Sequence, residues 1–269
     1  MRELFDSDLT LFLGVPGGKN RTRQQRYTRS RDIHLWPAPE FGHHAAMSTH
    51  PDYAALTQRL AAIDSTHLAD ANKNIRSCDA GLKPVRTGLK MIGRAHTVRC
   101  CEDFLTVIAG LAAAEPGDVL VVDTQGSRRA VLGELFSLEA ARKGLAGIVV
   151  DGLIRDTSTI RTLDLPVYAR GTNPQAGTIS RLFATQVPVP CGGVIVSPGD
   201  ILFGDDDGIL VATPAEVLAA LPQAETIAAR EADLIARLRA GVPLGEMVNA
   251  AEHLDNVKAG RPSALRFDI

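Results

Sequence analysis

Residues 118–156 read DVLVVDTQGSRRAVLGELFSLEAARKGLAGIVVDGLIRD, and this stretch decides the fold. It opens on Asp118-Val-Leu-Val-Val-Asp123, an apolar run between two acids and too short for a helix. Its side chains are apolar on both faces, so it predicts a strand covered from both sides. A polar loop follows, from Thr124 to Arg129. Leu135 to Lys143 then predicts a helix, and Gly144 is a natural C-terminal stop. Gly147-Ile-Val-Val-Asp151 is a second buried strand. Two consecutive strand–loop–helix units therefore sit here. In open α/β sheets, ligands bind where strand carboxyl ends meet helix N-termini.

The pattern continues on both sides of this stretch. Upstream, Tyr53 to Ile63 carries apolar residues at helical spacing, and Ser65, Thr66 and Asp70 offer caps for a short second helix. Met91 to Val98 predicts a strand, and Phe104 to Ala114 a helix ended by Pro116-Gly117. Downstream, Thr157 to Leu163 is a short helix and Pro166 to Ala169 a strand. Four short strands then follow, separated by Gly, Pro and Asp turns: Val187–Pro190, Gly193–Val196, Asp200–Phe203 and Gly208–Ala212. Pro214 to Leu238 is a long Ala-rich helix, and the chain after Gly241 is less regular. The fold class is α/β, with a mixed β-sheet core and flanking helices. Residues 51–245 make the domain and 246–269 a C-terminal tail. Residues 1–50 show no lasting period, only a basic stretch from Lys19 to Arg31 and then Trp36 and Pro37. They predict a disordered extension, and Met47 stands just before the first good helix pattern.

Composition excludes several classes. The 269 residues are 45% hydrophobic and 22% charged, with a formal net charge of −2, so no basic nucleic-acid footprint is present. Aromatics are 4%, too few for a platform that stacks single-stranded bases. No apolar run reaches a membrane-spanning length. Cys78, Cys100, Cys101 and Cys191 form no C-x-x-C pair, and they are read as reduced thiols of a cytoplasmic protein.

The chemistry gathers in the two loops. The first ends in Gly133-Glu134-Leu135-Phe136, where a tight backbone leads into a helix whose free N–H groups suit a carboxylate or phosphate. The second reads Asp151-Gly152-Leu153-Ile154-Arg155-Asp156. Arg155 offers a planar fork for a carboxylate, and Asp156 a carboxylate able to hold a divalent cation. The plainer reading is a surface ion pair with Asp156 capping the next helix. Asp205-Asp206-Asp207-Gly208 is read as a turn rather than a metal site. His96 is read as a satisfied core histidine, and Asn173-Pro174 as a turn at the pocket's edge.

Twenty residues lie between Glu134 and Arg155, and Asp156 follows at once. With Gly133 before it and Gly192-Gly193-Val194, Pro198-Gly199-Asp200 and Gly204-Asp-Asp-Asp-Gly208 after it, this acid-x20-Arg-Asp spacing resembles the RraA-like family. The likeness covers roughly residues 60–240. It implies an αββα sandwich and an activity like that of the class II 4-hydroxy-4-methyl-2-oxoglutarate aldolases, which also decarboxylate oxaloacetate. It further implies that Gly133 to Phe136 hold the substrate through backbone N–H groups. Arg155 would bind a small 2-oxo acid and neutralise the enolate oxygen. Asp156 would position Mg²⁺ or Mn²⁺. Assembly as a homotrimer or a hexamer, with sites between subunits, is implied too. One departure is Glu134, where those aldolases carry Asp. No Lys lies in either loop, so nothing suggests a Schiff base. Two alternatives remain: a non-enzymatic regulator that binds an RNA-degrading endonuclease, and a methyltransferase. For the latter, Asp123-Thr124-Gln125-Gly126 holds one glycine where a nucleotide loop wants several.

Overall fold

The computed structural model describes residues 53–267, and the extension expected over 1–50 lies outside them. In chain order the elements are α1 (Tyr53–Ala61), α2 (Ser65–Ala71), β1 (Arg76–Ser77), β2 (Lys83–Pro84), β3 (Met91–Arg99), α3 (Leu105–Ala113), β4 (Asp118–Asp123), α4 (Glu134–Lys143), β5 (Gly147–Ile154), α5 (Thr157–Ile160), β6 (Val167–Thr172), β7 (Val189–Cys191), β8 (Val194–Val196), β9 (Ile201–Asp205), β10 (Gly208–Ala212), α6 (Pro214–Arg239), a 3₁₀ turn (Leu244–Glu246) and α7 (Ala250–Lys258).

The mixed sheet with flanking helices expected from the sequence is present. Eight strands lie in the order β1-β10-β9-β3-β4-β5-β6-β2. The four central strands β3 to β6 run parallel, while β9, β10, β1 and β2 pair antiparallel at the two sides. Every residue of β4 is buried, which its apolar run required. Leu120 and Val122 face α3 and α4 together with Val107, Leu111, Ile148 and Val150. Farther along the same face, Leu60, Leu68, Val217 and Leu221 of α1, α2 and α6 cover Ile201 and Phe203. Val119 and Val121 point the other way, onto Val149, Tyr168 and the β7–β8 ribbon through Val189, Cys191 and Val196.

The sheet curls. Tyr168 on β6 donates its hydroxyl to the Asp205 carbonyl on β9 at 2.9 Å, although three strands stand between them in the sheet. Gly204 makes room for this, since a Cβ there would stand 3.1 Å from the Tyr168 hydroxyl.

Local chemistry explains the long helix. Thr213 accepts from the Glu216 N–H while the Glu216 carboxylate accepts from the Thr213 N–H, and Pro214 occupies the first turn. Asp205 to Gly208 is the tight β9–β10 hairpin connection, as the turn reading expected.

Several expectations change. The strand expected at Gly147–Asp151 runs on to Ile154, so most of the segment read as the second loop is strand, and the helix expected at Thr157–Leu163 ends at Ile160. Residues 250–258, read as irregular, form α7, a nine-residue helix that exposes Leu254 and Val257. The strand expected at Val187–Pro190 begins at Val189 and ends at Cys191. His96 is buried on β3, but its Nε2 has no hydrogen-bond partner among the described residues, so it is a core histidine that is not satisfied.

Candidate active site

The site forms where the ends of two chain segments run side by side. The Val131 N–H donates to the Leu153 carbonyl at 3.2 Å, and the Arg155 N–H to the Leu132 carbonyl at 3.0 Å. These bonds carry the first loop along the carboxyl end of β5. They set Gly133, the N-cap of α4, against Arg155 and Asp156. Gly133 has extended backbone (φ −149°), which any residue adopts. Its need for glycine is spatial: a Cβ there would overlap Asp156 Oδ2 and stand 3.1 Å from Arg155 Cγ.

Asp156 takes the left-handed conformation, with φ 57°, a costly state for a side-chain-bearing residue and one in which Asp is enriched. It occupies the N-cap position of α5, yet its side chain makes no capping hydrogen bond. The carboxylate reaches across instead. Its Oδ2 lies 3.4 Å from the Glu134 N–H and 3.3 Å from Arg155 Nε. The capping role weighed from the sequence is therefore not the one the side chain plays. With side chains 44% and 35% exposed, the Arg155–Asp156 pair is screened by water and contributes little to stability.

Glu134 begins α4, and its Oε2 accepts from the Thr159 hydroxyl at 2.6 Å. A cavity of about 160 Å³ lies over these groups, lined by Gly133, Glu134, Leu135, Phe136, Arg155 and Asp156. All six residues singled out in the sequence thus border one space. Its remaining wall is apolar and includes Phe104, Ile108, Leu132 and Ala176. The Phe104 and Phe136 rings meet edge to face at 5.8 Å. The first turn of α4 and the Arg155 guanidinium offer donors for an anion, while two carboxylates stand ready for a cation or a proton.

The RraA-like (Aldolase/RraA) family pattern matches residues 65–211. The chain belongs to the RraA-like family. A protein of Halalkalibacterium halodurans named "Putative 4-hydroxy-4-methyl-2-oxoglutarate aldolase" is 35% identical over 180 residues, covering 66% of this chain and 84% of its own. Among solved structures, RraAS2 of Streptomyces coelicolor, described as an unusual member of the RNase ES inhibitor RraA family, superposes with a TM-score of 0.60. It is 33% identical, over 71% of this chain and 98% of its own. A Geobacillus kaustophilus protein described as an S-adenosylmethionine:2-dimethylmenaquinone methyltransferase gives a TM-score of 0.54 at 33% identity, over 56% of this chain and 95% of its own.

This RraA-like chain also holds groups that the sequence reading passed over. Thr159 lies in the helix after the Arg-Asp pair, and nothing in a lone Thr signals contact with an acid 25 residues away. On the other face of the sheet, Arg170 of β6 makes two hydrogen bonds of 2.9 Å to Asp79 and also pairs with Asp151. The Arg170 guanidinium holds the Asp79 carboxyl down at about 2, helped by the Gly81 N–H. Asp151, read as the start of the catalytic loop, points into this network and accepts from the Gly192 N–H at 2.7 Å. Asp151, Arg170 and Asn173 line a separate cavity of about 660 Å³, so Asn173 borders that space rather than the one at Arg155. His67, given no role from the sequence, accepts from the Asp64 N–H at 2.9 Å and meets Glu231 at 3.0 Å, tying α2 to α6.

Proposed function

We propose that this RraA-like chain is a divalent-metal-dependent lyase that cleaves a C–C bond of a small 4-hydroxy-2-oxo acid, or decarboxylates oxaloacetate, through a pyruvate enolate. The observation that carries the reading is the meeting of Gly133, Arg155 and Asp156 at one cavity beside the first turn of α4. Retro-aldol cleavage and β-decarboxylation both push electrons onto the 2-oxo oxygen. The Arg155 guanidinium, half-exposed beside Asp156, would fork toward a carboxylate and that oxygen and stabilise the charge as it develops. The N–H groups after Gly133 orient the substrate carboxylate. The apolar side chains Phe104, Ile108 and Leu135 that line the cavity would limit water around the acid and strengthen these contacts.

The donor set suits Mg²⁺ or Mn²⁺: two carboxylates, Glu134 and Asp156, border the cavity, and hard oxygen ligands plus water are what these ions take. Among the described residues no group of three or more His, Cys, Asp or Glu gathers, so water or a substrate would complete the shell. Asp156 would hold the ion, which when bound supplies Lewis-acid polarisation of the 2-oxo group.

The test is purified protein with Mg²⁺ or Mn²⁺ against a panel of 4-hydroxy-2-oxo acids and oxaloacetate, followed by pyruvate release. Metal-dependent pyruvate formation abolished by a chelator supports the reading, and no pyruvate from any of them sinks it. The likeness to RraAS2 favours a second reading, a regulator that binds an RNA-degrading endonuclease. An inert protein that slows RNA cleavage by such an enzyme would establish it.

A further inference from the structure

We infer that Thr159 is a positioning residue that fixes the Glu134 carboxylate in the site; the inference rests on the lyase reading above. Glu134 carries three rotatable side-chain bonds at the start of a helix and is only half-buried, so packing alone leaves its carboxylate several positions. The 2.6 Å bond from the Thr159 hydroxyl selects one of them. This donor is itself held tightly. Thr159 is β-branched and stiff, its N–H donates to the Asp156 carbonyl at 3.2 Å, and its carbonyl accepts from the Thr162 hydroxyl at 2.8 Å.

The contacts close a ring. Glu134 N–H reaches Asp156 Oδ2, the Asp156 carbonyl reaches Thr159 N–H, and the Thr159 hydroxyl returns to Glu134 Oε2. The Thr159 hydroxyl is the side-chain link that ties the Glu134 carboxylate into this ring, and Thr159 itself lines no part of the cavity. A donor to Oε2 spends one lone pair of the carboxylate and leaves Oε1 for a proton, water or cation. This is also how the longer Glu is accommodated. The extra methylene that Glu has over Asp gives the acid room to wander, and the Thr159 hydroxyl removes that freedom.

The experiment compares the full-length wild type with Thr159→Val and Thr159→Ser. Valine keeps the size and branching without the donor, and serine keeps the donor. Thr159→Val should lower kcat about tenfold, the scale of a lost hydrogen bond to a charged group, with KM within about twofold. Without substrate, its Mn²⁺ affinity should weaken about tenfold, as for removal of a group that orients a ligand. Thr159→Ser should restore both. If Thr159→Val unfolds, Thr159→Ser and Thr159→Ala decide: serine near wild type and alanine impaired supports the inference, and equal rates overturn it. Wild-type kcat and Mn²⁺ affinity in Thr159→Val overturn it, as does a lesion that serine does not repair. A wild type inert toward every acid in the panel is the separate failure of the lyase reading and takes this inference with it.

Discussion

Asp156 Oδ2 lies so close to Gly133 that a Cβ there would overlap it, so the glycine that ends the first loop and the acid that ends the second are fitted to one another. The pairing follows from backbone bonds between residues 131–132 and 153–155, which leave no space for a side chain at 133. It also explains why Asp156 adopts its left-handed backbone without capping α5.

Gly133→Ala should therefore damage the site more than the fold. The backbone at 133 accepts alanine, but the new methyl must displace the Asp156 carboxylate. A loss of about tenfold or more in kcat/KM is expected, equal to about 1.4 kcal/mol or more of transition-state stabilisation. Thermal unfolding should stay close to wild type. An alanine variant with unchanged rate would show that the fit between the two residues is irrelevant to catalysis.

Arg155→Lys keeps the charge and loses the planar fork, and Asp156→Asn keeps the shape and loses the charge. Each should remove about 2–4 kcal/mol of transition-state stabilisation, the scale for a single group that stabilises a developing oxyanion. Circular dichroism should report folded protein in both cases, because both side chains are substantially exposed. Pyruvate release from oxaloacetate at fixed Mg²⁺ measures the loss, and two folded variants at wild-type rates would assign Arg155 and Asp156 to something other than the reaction.

His96 predicts a pH dependence of stability. Burial lowers its pKa below 6.5, partly opposed by Asp118, while Lys143 pushes it further down. The folded state then binds fewer protons than the unfolded state at pH values between the two pKa values. Stability contributed by the neutral form is fully present above the unfolded pKa and falls as pH drops below about 6.5, levelling off once the lower folded pKa is passed. Urea midpoints at pH 7.5 and 5.5 should show the fall, and His96→Phe should reduce it. An identical pH slope in that variant would assign the effect to other groups.

The thiols should divide by burial. Cys100 is fully buried and its pKa is pushed up to about 12, and Cys191 is raised well above 9 by its contact with Cys78 and by burial. Both should resist an aromatic disulfide reagent at pH 8 until the protein unfolds, whereas the partly exposed Cys78 and Cys101 react in the native state. Four rapidly reacting thiols in native buffer would contradict this packing.

The sequence by itself determined the elements whose signal is local. The run Asp118 to Asp123 had to be a doubly covered strand because no residue in its interior tolerates water, and Thr213-Pro214 with Glu216 had to start a helix because their side chains satisfy its first N–H groups. Glu134, Arg155 and Asp156 were legible as a constellation because their spacing is a one-dimensional property. Tertiary structure alone decided what these residues touch. The two-residue strands β1 and β2 carry no pattern of their own and form only because the curled sheet offers them an edge. The Asp156 carboxylate turns toward Glu134 rather than its own helix because a neighbouring segment, brought there by β4 and β5 pairing, presents an N–H and an empty Cβ position. Thr159 and Arg170 gained their partners in the same way. Hydrogen bonds between side chains distant in sequence depend on which strands lie side by side, and residue order does not encode that pairing locally.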